Sequence, residues 1–380
     1  MHPVDVRSMG VSVYRVPVET PVQTSFGMLN DRAAVVVHVT DADGAQGWGE
    51  AWCNFPTVGA EHRARLLMAT VAPLVLSRAW QSPSECHAAI ERAIRILAIQ
   101  SGEPGPLAQV AAGVDIALWD LVAQQARQPL WRLLGGTSAR VEVYASGLNP
   151  TQPERLAAAK AQEGYTRFKL KVGFGAERDE SNLATLRAAL GESATLMVDA
   201  NQAWDVEEAV HMSQRLESFG PIWLEEPLAA DAPLDAWVQL ARTSAIPLAS
   251  GENLRGGDFG RFLASGALKV LQPDVAKWGG FSGCLPLGKQ AAASSAWLCP
   301  HWLGGGIGLL ASLHLKAAIG GDGYAEVDAN PNPLRELLAG ALPPVREGAI
   351  TLGDEPGLGA RPRIEALRPY LTLQDTRTKT

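Results

Sequence analysis

Phe168-Lys169-Leu170-Lys171, Met197-Val198-Asp199-Ala200-Asn201 and Trp223-Leu224-Glu225-Glu226-Pro227 are apolar, strand-like runs that end on charged side chains. The pattern continues through Ser250-Gly251-Glu252-Asn253, Gln272-Pro273-Asp274, Cys299-Pro300-His301-Trp302 and Tyr324-Ala325-Glu326-Val327. From Lys171 to Glu326 the charged groups recur at intervals of 22 to 28 residues. One strand with its returning helix takes about 30 residues, so the series reads as one polar group per βα unit. A lone acid after a strand is as readily a helix N-cap. A register of seven points instead to the C-terminal face of a closed parallel barrel, where active sites are assembled from several strand ends.

Eight strand candidates support closure: 141–145, 167–171, 196–199, 222–225, 247–250, 268–271, 296–300 and 324–327. Helical stretches such as 153–162, 180–190, 206–216 and 234–241 separate most of them, the order expected of right-handed βα crossovers. An open doubly wound sheet is the competing reading, but no Gly-x-Gly-x-x-Gly follows the early strands. Gly304-Gly305-Gly306-Ile307-Gly308 lacks the Lys-Ser/Thr ending of a phosphate loop and reads as the glycine-rich start of a helix.

The N-terminal third differs. Val11–Val18, Ala33–Thr40 and Gln46–Ala51 read as antiparallel strands, the last two joined by an Asp43-Gly44 turn. Segments Glu19–Asp31 and Trp52–Pro56 read as loops over a pocket, with Phe26, Trp52 and Phe55 as candidate lining or packing residues. Helical patterns follow from Ala60 to Leu76, Ser84 to Leu97 and Leu107 to Gln125. The expected domains are an α+β cap over 1–136, a barrel over 137–349 and a tail, 350–380, returning to the cap.

Composition bounds the function. Apolar residues make up 47% of the 380 and charged residues 19%, a globular balance. A net charge of −7 gives no basic footprint for nucleic acid. The start resembles no secretory signal and no uninterrupted apolar span suggests a membrane, so a cytoplasmic location is the default expectation. Cys53, Cys86, Cys284 and Cys299 are widely spaced and are expected buried and reduced.

Asp199, Glu225 and Glu252 would converge three hard oxygen ligands from successive strands, a set that suits Mg²⁺ and suits zinc poorly. Lys169 and Lys171, two apart on one strand, face the same side. His301, with Asp274 one strand earlier to fix its tautomer, is a second candidate base, whereas His314 in an apolar helical stretch reads as structural. A cation beside a lysine and an oriented histidine suits removal of a proton α to a carboxylate.

With these motifs in place the chain resembles the enolase superfamily, specifically its mandelate racemase subgroup, over nearly its whole length. The resemblance implies a modified (β/α)7β TIM-type barrel with an N-terminal α+β capping domain completed by the C-terminal tail. It implies one Mg²⁺ on Asp199, Glu225 and Glu252, with Lys171 and His301 as bases on opposite faces and Asp274 as partner of His301. Lys169 and Glu326 would contact the substrate carboxylate, Asn201 would lie near the substrate, and Lys277 would lie near the metal carboxylates. Arg32 and the two cap loops would shape specificity, and Trp302 is a candidate substrate contact that, with Phe26, Trp52 and Phe55, would favour a less polar acid if these residues line the pocket. The muconate-cycloisomerising branch fits less well, because it uses a lysine where this chain offers Asp274 and His301. Most members of the subgroup are acid-sugar dehydratases, so the expected reaction on a small-molecule carboxylate is dehydration to a 2-keto-3-deoxy acid. Racemisation or epimerisation by Lys171 and His301 is the alternative, and a non-catalytic metal-binding barrel is a third reading from another class. The resemblance also implies a homo-oligomer.

Overall fold

The structure is a computed structural model and describes residues 3–379. Three antiparallel strands, β1 (Val6–Thr24), β2 (Gly27–Asp41) and β3 (Gln46–Ala51), open the cap. Alternation along β2 buries both faces. Val35, Val37 and Val39 pack with the cap helices, while Ala34 and Val36 join the core shared with the barrel. The cap sheet is therefore sandwiched between its own helices and the barrel.

The segment Glu19–Asp31, expected as a loop, is instead the far end of the β1–β2 hairpin. Val22 pairs with Leu29 and Thr24 with Gly27, leaving Ser25 and Phe26 at the tip. Val22 and Leu29 are both buried, and that apolar pairing extends the strands past the sheet.

The cap helices run Gly59–Leu66, continuing through one π-helical turn into Ala72–Val75, then Pro83–Ser101 and Pro104–Ala126. The last has the length and apolarity of a membrane span, yet 89% of its most apolar window is buried inside the protein as a core helix. It lies directly on β3, where a β-carbon at Gly49 would fall 2.0 Å from the Gly113 carbonyl oxygen, so only glycine fits that contact.

Eight strands build the barrel: β4 (Arg140–Leu148), β5 (Arg167–Lys171), β6 (Thr195–Asp199), β7 (Pro221–Glu225), β8 (Leu248–Ser250), β9 (Val270–Leu271), β10 (Trp297–Leu298) and β11 (Ala325–Asp328). They run parallel from β4 in sequence order to β10, with β11 against the other side of β4. A hydrogen bond of 3.2 Å from the Glu326 N–H to the Pro300 carbonyl ties β11 to the chain leaving β10. Inward-facing Tyr144, Met197, Trp223, Ala249, Val270 and Cys299 fill the interior, so the barrel is a packed core beneath the site.

The tail divides its work. Strand β12 (Ala349–Thr351) pairs antiparallel with β4, an addition to the barrel rather than the cap. Strand β13 (Leu371–Thr378) then pairs antiparallel with β1 and returns the chain to the cap.

Candidate active site

Strand register places the charged groups. Lys171 pairs with Asp199 and Asp199 with Glu225, so three neighbouring strands bring these residues into one row at the barrel mouth. The chain then turns sharply. Asn201 and Glu226 hold left-handed φ values of 45° and 39°, and Gln202 holds 65°. Such non-glycine conformations cost on the order of 1 kcal/mol each and concentrate where a site over-determines its backbone. Gly251, with φ 154°, passes so close to the next strand that a β-carbon would lie 2.6 Å from the Gln272 backbone, and this passage carries Glu252 toward the mouth.

Lys169 lies at the centre of the deeper layer. Its Nζ donates to both oxygens of Glu225 at 2.6 and 2.7 Å, and stands 2.9 Å from Glu326 and 3.6 Å from Asp199. Burial works to lower its pKa, but Glu225 and Glu326 raise it well above the ordinary value, so Lys169 stays a cation and makes a poor base. One layer up, the Lys171 Nζ donates to Asp199 Oδ2 and Asn201 Oδ1, each at 2.7 Å, and unlike Lys169 it lines a cavity.

His301 stands on the other side of the mouth. Its Nδ1 is 2.8 Å from Asp274 Oδ2, leaving Nε2 to face Glu252 at 3.4 Å and Glu326 at 3.6 Å. Burial works to lower its pKa, but Glu252, Glu326 and Asp274 together bring it to about 9. Asp274 is held in turn by the N–H groups of Ala276 and Lys277.

The mouth carries more acids than cations. Burial and the neighbouring Asp199 and Glu326 push Glu225 up to about 7 even against Lys169. Burial and Glu252 push Glu226 up to about 8. Glu252 moves down instead, because His301, Lys277 and Lys171 outweigh its burial. Among the described residues no three of these groups already gather round one point as metal ligands. Lys169 lies between Asp199 and Glu225, and Lys277 holds Glu252 at 2.7 Å. The donor chemistry still fits a hard divalent cation. It is oxygen-only, anionic and in surplus, and the two raised carboxylates are the groups such a charge would relieve.

A cavity of about 940 Å³ opens above this row. Lys171, Asn201, Glu252, Lys277 and His301 line its barrel side, and Phe26, Trp52 and Phe55 line its cap side. Both cap segments are tied down there. Ser25 Oγ donates to the Asn201 carbonyl at 2.7 Å, and Asn54 Nδ2 donates to the Leu303 carbonyl at 2.7 Å.

Two expected specificity residues lie elsewhere. Arg32 is buried between cap and barrel, paired with Asp328, and does not line the cavity. The Trp302 indole turns away onto Gly304 and Gly308 and donates to the Gly305 carbonyl, while its backbone N–H holds Glu326 at 3.0 Å. Other residues escaped the sequence reading. Gln272 donates to Glu225 at 2.5 Å, and Asn253 bridges Glu226 and Lys277. Gln272 directly follows β9 and opens the Gln272-Pro273-Asp274 run already singled out in the sequence. Asn253 closes the Gly251-Glu252-Asn253 run, to which the sequence reading gives no role beyond that of Glu252.

Two family models match the chain: "Mandelate racemase / muconate lactonizing enzyme, N-terminal domain" over residues 8–135 and "Enolase C-terminal domain-like" over residues 153–366. The chain belongs to the mandelate racemase/muconate lactonizing enzyme family of the enolase superfamily. Among its relatives, D-galactarolactone cycloisomerase of Agrobacterium fabrum is 31% identical, over 93% of this chain and 95% of the relative. A solved mandelate racemase/muconate lactonizing enzyme from Bordetella bronchiseptica RB50 is 51% identical with a TM-score of 0.91, covering 97% of this chain and 100% of that one. The L-talarate/galactarate dehydratase of Salmonella typhimurium LT2, solved with Mg and L-lyxarohydroxamate, is 27% identical with a TM-score of 0.85, covering 98% of this chain and 94% of the other. Relatives across this enolase-superfamily group are arabinonate, galactonate and galactarate dehydratases together with cycloisomerases and racemases, which are lyases and isomerases.

Proposed function

We infer that this enzyme removes the proton α to the carboxylate of a polyhydroxy acid and expels the 3-hydroxyl, giving a 2-keto-3-deoxy acid. The observation that carries the reading is the pair of unlike groups on opposite sides of one cavity, Lys171 and the Asp274-oriented His301. Asp199, Glu225 and Glu252 would hold Mg²⁺, which when bound supplies the positive charge that an α-carbanion next to a carboxylate needs.

The chain's own residues divide the remaining work. Lys171, held by Asp199 and Asn201, would accept the α-proton. His301, kept as an imidazolium by Glu252, Glu326 and Asp274, would give its proton to the leaving hydroxyl, so that water departs and the enol left behind ketonises. Lys169 and Glu326 would meet the substrate carboxylate from below. Opening of a lactone or anhydro ring is the same elimination with a ring oxygen as leaving group, which suits the cycloisomerases among the relatives. We place the enzyme in the cytoplasm, in keeping with the metabolic activities of those relatives.

The aromatic cap side, where the Phe26 and Phe55 rings meet edge to face at 5.1 Å, favours a second reading. On it, Lys171 and His301 exchange protons on opposite faces of a less polar acid, as a racemase would. Proton NMR of acid sugars and 2-hydroxy acids incubated with enzyme and Mg²⁺ in D₂O separates the two. A new 2-keto-3-deoxy product establishes dehydration; loss of the α-proton signal without a product establishes racemisation. No exchange and no product with any acid would sink both.

A further inference from the structure

We propose that the cap side of the cavity is a second anion subsite, formed by Arg63, Gln109 and Arg255, and that the substrate carries an acidic group at each end. This rests on the reading of the barrel mouth as the place that holds the reacting carboxylate.

Arg63 is only 2% exposed, yet each hydrogen bond that it makes ends on a neutral acceptor. Its Nε donates to Gln109 Oε1 at 2.7 Å, Nη1 to the Gly59 carbonyl at 2.8 Å and Nη2 to the Phe55 carbonyl at 3.0 Å. A guanidinium has five N–H donors, so two remain. The neighbouring acid, Glu103, is engaged by His62 Nε2 at 2.6 Å. Burying a cation without a counter-charge is costly, and an anionic ligand group in the adjoining cavity would offset that cost.

Gln109 carries the donor surface onward. Its oxygen faces Arg63, which turns its Nε2 the other way. A β-carbon at Gly105 would stand 3.9 Å from that Nε2 and 3.5 Å from Arg255 Nη1, so the two donors approach one point. That point lies over the first turn of the helix Pro104–Ala126, whose N-terminal dipole end also favours negative charge. Arg255 is exposed on the cavity wall and has no carboxylate partner among the described residues, whereas nearby Arg261 is paired with Asp258 at 2.6 Å.

The subsite adjoins the mouth. The Trp52 indole has the Arg63 guanidinium 5.6 Å from its ring centre and the Lys277 ammonium 4.4 Å from it, and all of these residues line the same cavity. A monoacid would leave Arg255 to water and Arg63 without a counter-charge. A diacid would bring its far carboxylate to a fork of donors, with a guanidinium suited to bidentate contact.

Titration calorimetry with adipate and hexanoate, both free of stereocentres, tests the subsite on the full chain in Mg²⁺. Adipate should bind about tenfold to a hundredfold more tightly, the scale of charge-assisted hydrogen bonds. Arg255→Gln should remove that advantage. It is the variant of choice because Arg63 also braces the loop from Phe55 to Gly59, so its loss risks the fold. Hexanoate binding as tightly as adipate, or an adipate advantage that survives in Arg255→Gln, overturns the proposal. Turnover separates this from the reading beneath it. A protein that prefers adipate yet exchanges no α-proton supports the subsite and removes the reaction, while one that turns over galactonate as well as galactarate does the reverse.

Discussion

Two regions of this molecule bury carboxylates, and they do opposite things with them. Along the seam between cap and barrel, Glu50 accepts N–H groups from Gly305 and Gly308 at 2.7 and 2.9 Å, and Asp120 accepts those of Trp48 and Leu358 at 2.8 and 2.7 Å. Asp115 likewise receives the N–H and hydroxyl of Ser282. Glu50 and Asp120 meet backbone N–H donors that do not titrate, and Asp115 is held by Ser282 with the His87 ring 3.8 Å away. At the mouth, Asp199, Glu225, Glu252 and Glu326 meet lysines, a histidine and one another. Burial raises acids in both regions: Glu50 and Asp120 to about 7, Glu225 to about 7 and Glu226 to about 8. A raised pKa alone therefore does not mark the site. What marks it is that several lysines, a histidine and the carboxylates crowd together beside one cavity, so that a substrate or a metal can change the balance.

The sharpest way to break this comparison is to remove a mouth group whose hydrogen-bond partners belong to the site itself. Lys171→Met should lower kcat by about 10³-fold or more, the scale of a lost acid–base group, with little change in melting temperature. His301→Asn should cost about 10²- to 10⁴-fold. On the dehydration reading it still washes deuterium into the substrate's α-position, because Lys171 remains. If His301→Asn turned over at the wild-type rate, both the acid-assisted elimination and the two-base exchange would lose their centre.

The next test asks which of the adjacent acids belongs to which group. Glu225 points into the barrel with Lys169 and Gln272, while Glu226 is bound to Asn253 beside Glu252. Calorimetric titration with Mg²⁺ should show binding lost in Glu225→Gln and retained in Glu226→Gln. The opposite pattern would make Glu226 the ligand and Glu225 a fixed partner of Lys169.

Much of this was legible in the sequence, because parallel strands in register turn a linear spacing into a row of neighbours. Lys171, Asp199 and Glu225 needed no more than that. Where partners are far apart in the chain, the reading failed. Arg32 and Asp328 are separated by 296 residues, and nothing in the segment around Arg32 shows that its charge is used at the seam. Trp302 was read as pocket-lining, but the room left by Gly304 and Gly308 turns its ring into the core. The hairpin end at Val22–Leu29 was hidden by turn-like polar residues on either side. Arg63 and Gln109 sit on cap helices in a pattern that reads only as amphipathic.

At the seam the expected effect is on stability. Asp120→Ala would leave the Trp48 and Leu358 N–H groups buried without an acceptor, at about 2–4 kcal/mol in all. Urea denaturation should show that loss, while kcat of the folded enzyme stays within about twofold, since seam donors do not take part in proton transfer. A fall in kcat with unaltered stability would erase the distinction between the two regions.

The smallest effect is a slope rather than a step. His314, read from the sequence as structural, is buried with Nδ1 accepting the Trp131 N–H at 3.0 Å, and burial lowers its pKa from 6.5 to about 3. The folded chain must keep this ring neutral, whereas the unfolded chain binds a proton below the ordinary value. The stabilisation is thus fully present above pH 6.5 and is lost as pH falls from there toward 3, at about 1.4 kcal/mol per pH unit. His301 has the opposite sign, because its raised pKa makes the fold prefer the protonated ring. In His314→Asn the amide oxygen can replace Nδ1 as acceptor, so the variant should start somewhat less stable and then lose less on acidification. Urea midpoints from about pH 8 to about pH 4 measure the difference between the two slopes. Parallel slopes would mean that the folded ring takes up its proton as readily as the unfolded one, and that this buried histidine is not the inert counterpart of the one at the mouth.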